Sequence, residues 1–477
     1  MDSIVNSGLA RDDAPMLVRK AISQKSAFPV FTKIYLNQFY SNLEGSGGPT
    51  GPYWPFSVVP NCRDSYIILT MKLLATPPDL NKIARPNWIE INLDALCNNI
   101  QFIRSQIPAN TKILLPVKAD SYGHGSLACS FAAKFGGADY LGVAHISEGM
   151  LLRQYGMDLP ILVLGPCTPA DFAYFVEFQL TAAITDIRTA MAFDQYLRDT
   201  GTTCKAHIAI DTGMNRYGFD AEDFNNIRAA LSLKNLRFEG MFTHLATADM
   251  PGNPKTDIQI QRFTRLVDVL EAEGLRPEIC HCSSSAGTLT RPESHFDMVR
   301  PGLALYGYNC MGAAPSPWPI KPVMKIKSTI RHIHDVKPGE TVSYGGYWMA
   351  QQPTRIATIA IGYGDGYLRG EYNKGFVFIR GQLCPILGRV CMDATMVDVS
   401  HIPDVQVGET VDVVNGELDF RISMESVADD HHTIPYELTS RVARRLYRKY
   451  YWKNRLVRWD YLRQEFGVKD YREYPLR

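Results

Sequence analysis

The chain has almost no imbalance of charge: 50 lysines and arginines face 49 aspartates and glutamates across 477 residues. That balance gives no reason to expect nucleic acid or an anionic membrane as a partner. A long apolar run is also missing. The best early stretch, residues 66–75, contains Lys72 and falls well short of the ~20 residues that a spanning helix needs. No basic segment followed by an apolar one opens the sequence, so a secretory leader is not expected. The ten cysteines lack the paired spacing of a zinc site or a disulfide framework, which points to free thiols in a reducing cytoplasm. The run Asp429-Asp430-His431-His432 is rich in ligand types but contiguous, and reads as a solvated turn, so no metal is expected.

What the chain does have is an ordered change of pattern. Residues 1–84 show no clear period and contain the Gly/Pro/Ser cluster 43–52, so they read as a weakly structured N-terminal extension. Met71, just before the first patterned element, is a candidate alternative start. From Trp88 onward short β-type runs alternate with helix-length segments. Residues 88–93 read as a strand, and Asp94 as the cap of a helix whose Leu96, Ile100, Ile103 and Ile107 share one face. Strand-like runs recur at 113–117, 140–144, 161–164, 182–184, 207–210, 238–242 and 278–281. Eight such units, with no Gly-x-Gly-x-x-Gly after the first strand, predict an α/β fold that opens on a (β/α)8 barrel over residues 85–318. An open parallel sheet is the alternative. Beyond about Pro319, alternating runs divided by turns predict a mainly β domain over 319–447, closing on a helix near 437–450. The tail, 448–477, is rich in aromatics and arginine. Its interleaved acids favour a solvated amphipathic helix over an RNA-binding arm.

The most informative segment is Val117-Lys118-Ala119-Asp120-Ser121-Tyr122-Gly123-His124-Gly125. It hangs a lysine on the end of an apolar run and follows it with a glycine-punctuated turn. A lysine so placed can be desolvated, which lowers its pKa, and a neutral amine forms a Schiff base with an aldehyde such as pyridoxal phosphate. On residue type alone, a surface lysine before a turn is the better reading. A barrel supplies a test, because catalytic residues belong at the C-terminal ends of its strands. Lys118 ends one strand and His244 another, Arg216 lies in the loop after Ile210-Asp211, Ser283 to Ser285 follow Cys280-His281, and Arg300 belongs to the closing segment. Singly these read as a core histidine, a surface arginine and a helix cap; jointly they mark one rim. Ser285 and the backbone N–H groups around Gly302 and Leu303 could donate to a phosphate, with glycine allowing close approach.

The lysine segment resembles the cofactor-lysine signature of the alanine racemase family. The resemblance continues, in order, through residues 211–216, 243–249, 299–302, 342–345, 361–367, 391–393 and 434–437, so it covers about 85–447. It implies a fold-type III pyridoxal-phosphate enzyme, an isomerase built of a barrel and a β domain and working as a homodimer with shared sites. Lys118 would hold the cofactor and act as base on the D-amino acid, and the partner's Tyr344 would be the base on the L-amino acid. Tyr122, Ser285, Gly302, Leu303 and Tyr436 would hold the phosphate. Arg300 would face the pyridine nitrogen, His244 would assist Tyr344, and Arg216 would bind the cofactor's phenolic oxygen and contact the substrate. Met392 of the partner subunit would meet the substrate carboxylate, and Tyr363 would narrow the entrance so that a methyl side chain is favoured. The implied activity is interconversion of L- and D-alanine, which supplies D-alanine for cell-wall peptide.

Some residues depart from the family pattern. Ala209 stands where some members carry a carbamylated lysine that orients the arginine equivalent to Arg216. Ser284 replaces a common asparagine, and Ala443 a common proline. Three other functions compete with alanine racemisation. A broad-specificity racemase would differ mainly in the width of the entrance, and Tyr363 and Tyr436 favour alanine. A fold-type III decarboxylase would want an acid where Arg300 stands. A non-catalytic pyridoxal-phosphate carrier would lack the β domain and Tyr344.

Overall fold

A computed structural model describes residues 86–370 and 372–457. The extension expected over 1–84, and residues 458–477 of the tail, lie outside the described residues. The first strand, β1 (Trp88–Asn92), corrects one expectation: it is no barrel strand. It pairs antiparallel with Met324–Val336 and parallel with Tyr447–Trp452, inside the sheet of the β domain. Its burial gives the reason. Ile89 and Ile91 are buried while Trp88, Glu90 and Asn92 are half-buried, the alternation of a strand covered on one face. The helix that follows, Leu93–Gln106, is capped by Asn92, whose side chain accepts from the Ala95 N–H, and not by Asp94.

The barrel strands are β2 (Lys112–Pro116), β3 (Tyr140–Val143), β4 (Ile161–Pro166), β5 (Thr181–Ile184) and β6 (Cys204–Asp211), with the short β7 (Phe219–Asp220) beside β6. Then come β8 (Leu236–Phe242), β9 (Ile279–His281) and β10 (Met298–Val299). They run parallel in the order β10-β2-β3-β4-β5-β6-β8-β9, so β10 takes the place expected for residues 88–93. Backbone bonds from Asp297 N–H to Cys280 O (3.0 Å) and from Arg300 N–H to Ser283 O (2.9 Å) link the two ends of that order. Every residue of β3, β5 and β9 is buried, as strands covered on both faces require. Leu114, Tyr140, Leu162, Ile279 and Met298 pack as one interior layer. Burying each aliphatic side chain of such a layer stabilises the fold by about 1.5–3 kcal/mol.

In the second sheet the order is Gln382–Pro385, Phe376–Ile379, Thr410–Val414, Met324–Val336, β1, Tyr447–Trp452 and Arg455–Val457, with Thr354–Ile359 joining Met324–Val336 to Thr395–Asp398. The helix expected near 437–450 is shorter, Pro435–Arg441. Residues 447–452, Tyr-Arg-Lys-Tyr-Tyr-Trp, form a strand instead. Aromatics favour a pleated, half-buried surface, and β1 supplies a backbone partner at every position from Trp88↔Tyr447 to Asn92↔Tyr451. The start of the tail is therefore a hairpin and not an amphipathic helix. Lys453 and Asn454 make its turn at positive φ, and both N–H groups donate to the Asp94 carboxylate at 2.9 Å.

Candidate active site

Lys118 stands at the C-terminal end of β2, where the chain enters a left-handed turn. Ala119, Asp120, Ser121 and Tyr122 all have φ between 51° and 55°. For residues with a Cβ this hand costs roughly 1–2 kcal/mol each, so the surroundings must fix it. They do so through hydrogen bonds. The Ala119 N–H donates to Glu148 Oε1 (2.7 Å), the Ser126 N–H to Asp120 Oδ1 (2.7 Å), and Arg448 Nε to Gly123 O (2.8 Å). Beneath the turn, fully buried His124 directs Nδ1 at the carbonyls of Ser121 (2.9 Å) and Tyr122 (3.0 Å). Gly123 ends it at φ 80°, and a Cβ there would lie 1.9 Å from Thr439 O, so only glycine fits.

A cavity of about 980 Å³ opens at this rim. Lys118, Tyr122, Arg216, His244, Ser285, Arg300, Gly302, Leu303 and Tyr436 all line it, so most of the residues singled out from the sequence are brought together. Tyr344, Tyr363 and Met392 are not. They sit on the β domain, 65%, 38% and 53% exposed.

Inside the cavity burial sets the protonation states. It pulls Lys118 below the usual lysine value; the Arg216 guanidinium adds to this, Glu148 opposes it, and Arg300 adds again. Burial, helped by Arg300, Arg216 and Lys118, brings His244 down to about 3, so it is neutral at pH 7. Buried Arg300 comes down to about 10 and keeps its charge. Its guanidinium, a donor only, gives to His281 Nδ1 (2.7 Å), Thr243 O (2.7 Å), Cys282 O (3.2 Å) and His244 Nδ1 (3.2 Å). The last contact leaves the proton of His244 on Nε2.

Behind Arg300 runs a buried column that the sequence reading missed. Because His281 accepts at Nδ1, its Nε2 carries the proton and donates to His207 Nδ1 at 2.8 Å. His207 Nε2 in turn lies 3.7 Å from Glu239 Oε1. Burial works against the charge of Glu239, but His207, Lys205 and Tyr140 hold its pKa at about 2. Every proton in the column points away from Arg300 and toward that carboxylate. The available signal was a histidine at an inward position on each of two strands, β6 and β9.

Elsewhere in the cavity lining hydroxyl and N–H donors gather. The Leu303 N–H donates to the Tyr436 hydroxyl (3.2 Å) and the Ala304 N–H to Ser285 Oγ (3.1 Å), so each hydroxyl keeps its own proton to give. Burial pushes the Tyr436 phenol up to about 12 and lifts that of Tyr122 well above the usual tyrosine value, so both stay protonated. A Cβ on Gly302 would lie 3.2 Å from the Tyr122 hydroxyl and 3.4 Å from that of Tyr436. Its absence keeps a shallow cradle of O–H and N–H donors that suits a phosphate monoester.

Models of the alanine racemase N-terminal and C-terminal domains match residues 91–310 and 323–450. The chain is 39% identical over 367 residues to the alanine racemase of Desulfovibrio desulfuricans, covering 77% of this chain and 98% of that protein. Its identity to the alanine racemase of Methanococcus maripaludis is 36% over 371 residues, 77% of this chain and 99% of that one. The crystal structure of alanine racemase from Bacillus anthracis with bound L-Ala-P superposes with a TM-score of 0.71 at 32% identity, covering 78% of this chain and 97% of that one. The alanine racemase of Clostridium difficile gives 0.71 at 35%, with the same coverage. Both domains match in order, at 32–39% of positions, over nearly the whole length of these relatives, and the chain belongs to the alanine racemase family of isomerases.

Proposed function

We propose that the protein interconverts L-alanine and D-alanine with pyridoxal phosphate, using one base from each subunit of a homodimer. The observation that carries this reading is the cavity itself, where a lysine of lowered basicity shares the space with a buried, donor-only Arg300 and a hydroxyl-lined phosphate cradle. The donor set fits pyridoxal phosphate: Tyr122, Ser285, Gly302, Leu303 and Tyr436 would hold its phosphate, and Arg216 its phenolic oxygen. When bound, this cofactor supplies a conjugated ring that accepts the electron pair left by the departing α-proton.

The protein's residues do the rest. Lys118 Nζ would hold the aldehyde carbon and carry the α-proton on its own face. Arg300 would donate to the ring nitrogen without surrendering its proton, which keeps the electron sink weak and restrains side reactions. A decarboxylase would want a carboxylate there. On the opposite face the partner's Tyr344, acting as its phenolate, would take up the α-proton of L-alanine and become a neutral phenol, and the free Nε2–H of neutral His244 would stabilise the phenolate before that transfer. Met392 and Tyr363, exposed on the same β domain, would reach the second subunit's substrate, and Tyr363 would narrow its entrance. The nine described cysteines are free thiols, which fits a reducing compartment. We place the enzyme in the cytoplasm, supplying D-alanine for cell-wall peptide.

In deuterated water the purified protein should racemise L-alanine and exchange its α-hydrogen. Lys118→Ala should abolish both activities and the absorption band of lysine-linked cofactor. Tyr344→Phe should slow L-to-D turnover by about 10²–10⁴-fold, with the cofactor still bound. Full activity in Tyr344→Phe would remove the two-base assignment, and equal rates on larger amino acids would favour a broad-specificity racemase.

A further inference from the structure

The loop after β6 leaves one cation of the site without a polar partner. Among the described residues Arg216 has neither a hydrogen bond nor an ion pair; its guanidinium lies over the ring of Tyr217, 4.8 Å from Cζ to the centroid. That ring is held from both sides. Its hydroxyl donates to Leu164 O at 2.9 Å, and its carbons pack on Ala183, Ala209 and Phe242. Ala209 and Phe242 are register partners on β6 and β8. The backbone fixes the ring's position above them. Phe219 pairs with Ile210, so the loop doubles back on its own strand, and at Gly218 (φ 129°) a Cβ would lie 2.8 Å from Asp211 N and 3.0 Å from Ala209 O. Ala209, where some members of the family carry a lysine, has only a methyl side chain, and the tyrosine ring packs against it.

We propose that Tyr217 is the positioning residue for Arg216, holding the guanidinium toward the cavity by a neutral π face where an anion would otherwise do so. This rests on the reading in which Arg216 meets the phenolic oxygen of pyridoxal phosphate. The electrostatics favour a neutral support. Arg216 helps to keep Lys118 weakly basic, and an anion beside the guanidinium would cancel much of that influence. A ring face attracts the cation while adding no net charge.

The test separates positioning from packing. Cofactor-free protein is titrated with pyridoxal phosphate and with its analogue lacking the 3-hydroxyl group, and the dissociation constants are compared. A contact of this kind corresponds to a factor of about 5–30 in affinity. Tyr217→Leu should weaken pyridoxal phosphate by that factor and leave the analogue within about twofold, and Tyr217→Phe should restore most of the loss. Pentafluorophenylalanine installed at position 217 keeps the shape and reverses the ring's quadrupole, so it should behave like Tyr217→Leu even if the latter folds poorly. Equal weakening of both ligands by Tyr217→Leu, or wild-type affinity with the fluorinated ring, would overturn the proposal. Failure of the wild-type protein to bind pyridoxal phosphate would instead sink the underlying reading, and this one with it.

Discussion

His124 and His244 show what burial does to a titrating side chain. Both are brought down to about 3, by desolvation first. Between about pH 6.5 and pH 3 the unfolded chain therefore binds protons that the native protein refuses. Each such histidine makes stability fall with falling pH by about 1.4 kcal/mol per unit in that window, and contributes fully only above it. We expect His124→Asn to be less stable than the parent at pH 7, yet to lose stability less steeply from pH 6 to pH 4, the slope shrinking by about 1.4 kcal/mol per unit in urea titrations. An unchanged slope would mean that His124 titrates normally in the native protein. At this scale the rim was largely legible, because Lys118, His244 and Arg300 fall at strand ends where barrel chemistry belongs. The column His281, His207 and Glu239 was not. Its members lie within or below the strands, where side-chain direction depends on a register that a single sequence does not give.

The left-handed turn after Lys118 is the element on which the site depends. Glycine punctuation announced a turn at 118–125, but nothing in Ala-Asp-Ser-Tyr announced four successive positive φ angles, because these residues ordinarily avoid them. The hand comes from the surroundings, through Glu148, Arg448, His124 and the Thr439 carbonyl. Gly123→Ala should therefore cost at least about 3 kcal/mol and weaken cofactor binding, since the new methyl would meet both the wrong φ and a backbone oxygen. Gly137→Ala is the control. That glycine also has positive φ (94°), but with nothing within 4 Å of a Cβ, so only the conformational part, about 1–2 kcal/mol, should appear in urea unfolding. The same dependence on surroundings explains the misread elements. Residues 88–92 carry a good strand pattern, but only the one-face burial distinguishes their sheet from the barrel. Residues 447–452 alternate no more clearly as a strand than as a helix until β1 lies beside them.

For the whole molecule, the exposed Tyr344, Tyr363 and Met392 are the residues that the proposed homodimer would lend to the partner's site. Subunit exchange tests this directly. When inactive Lys118→Ala and Tyr344→Phe proteins are unfolded, mixed in equal amounts and refolded, random pairing should restore about a quarter of wild-type activity, because half the dimers are mixed and each of these has one intact site. A mixture that stays inactive would mean that both residues serve the same chain's site. The two-part architecture was legible from the change of period near residue 319, but the part of the β sheet lying before the barrel was not. That placement has a consequence for biogenesis. The segment Trp88–Asn92 leaves the ribosome early, while its partner Tyr447–Trp452 is made some 360 residues later. At 5–20 residues per second that wait lasts on the order of half a minute, during which the edge that Tyr447–Trp452 covers is open to other nascent chains even after Met324–Val336 has covered the other. Arrival of Tyr447–Trp452, rather than completion of the barrel, is thus the step expected to shield that edge from aggregation.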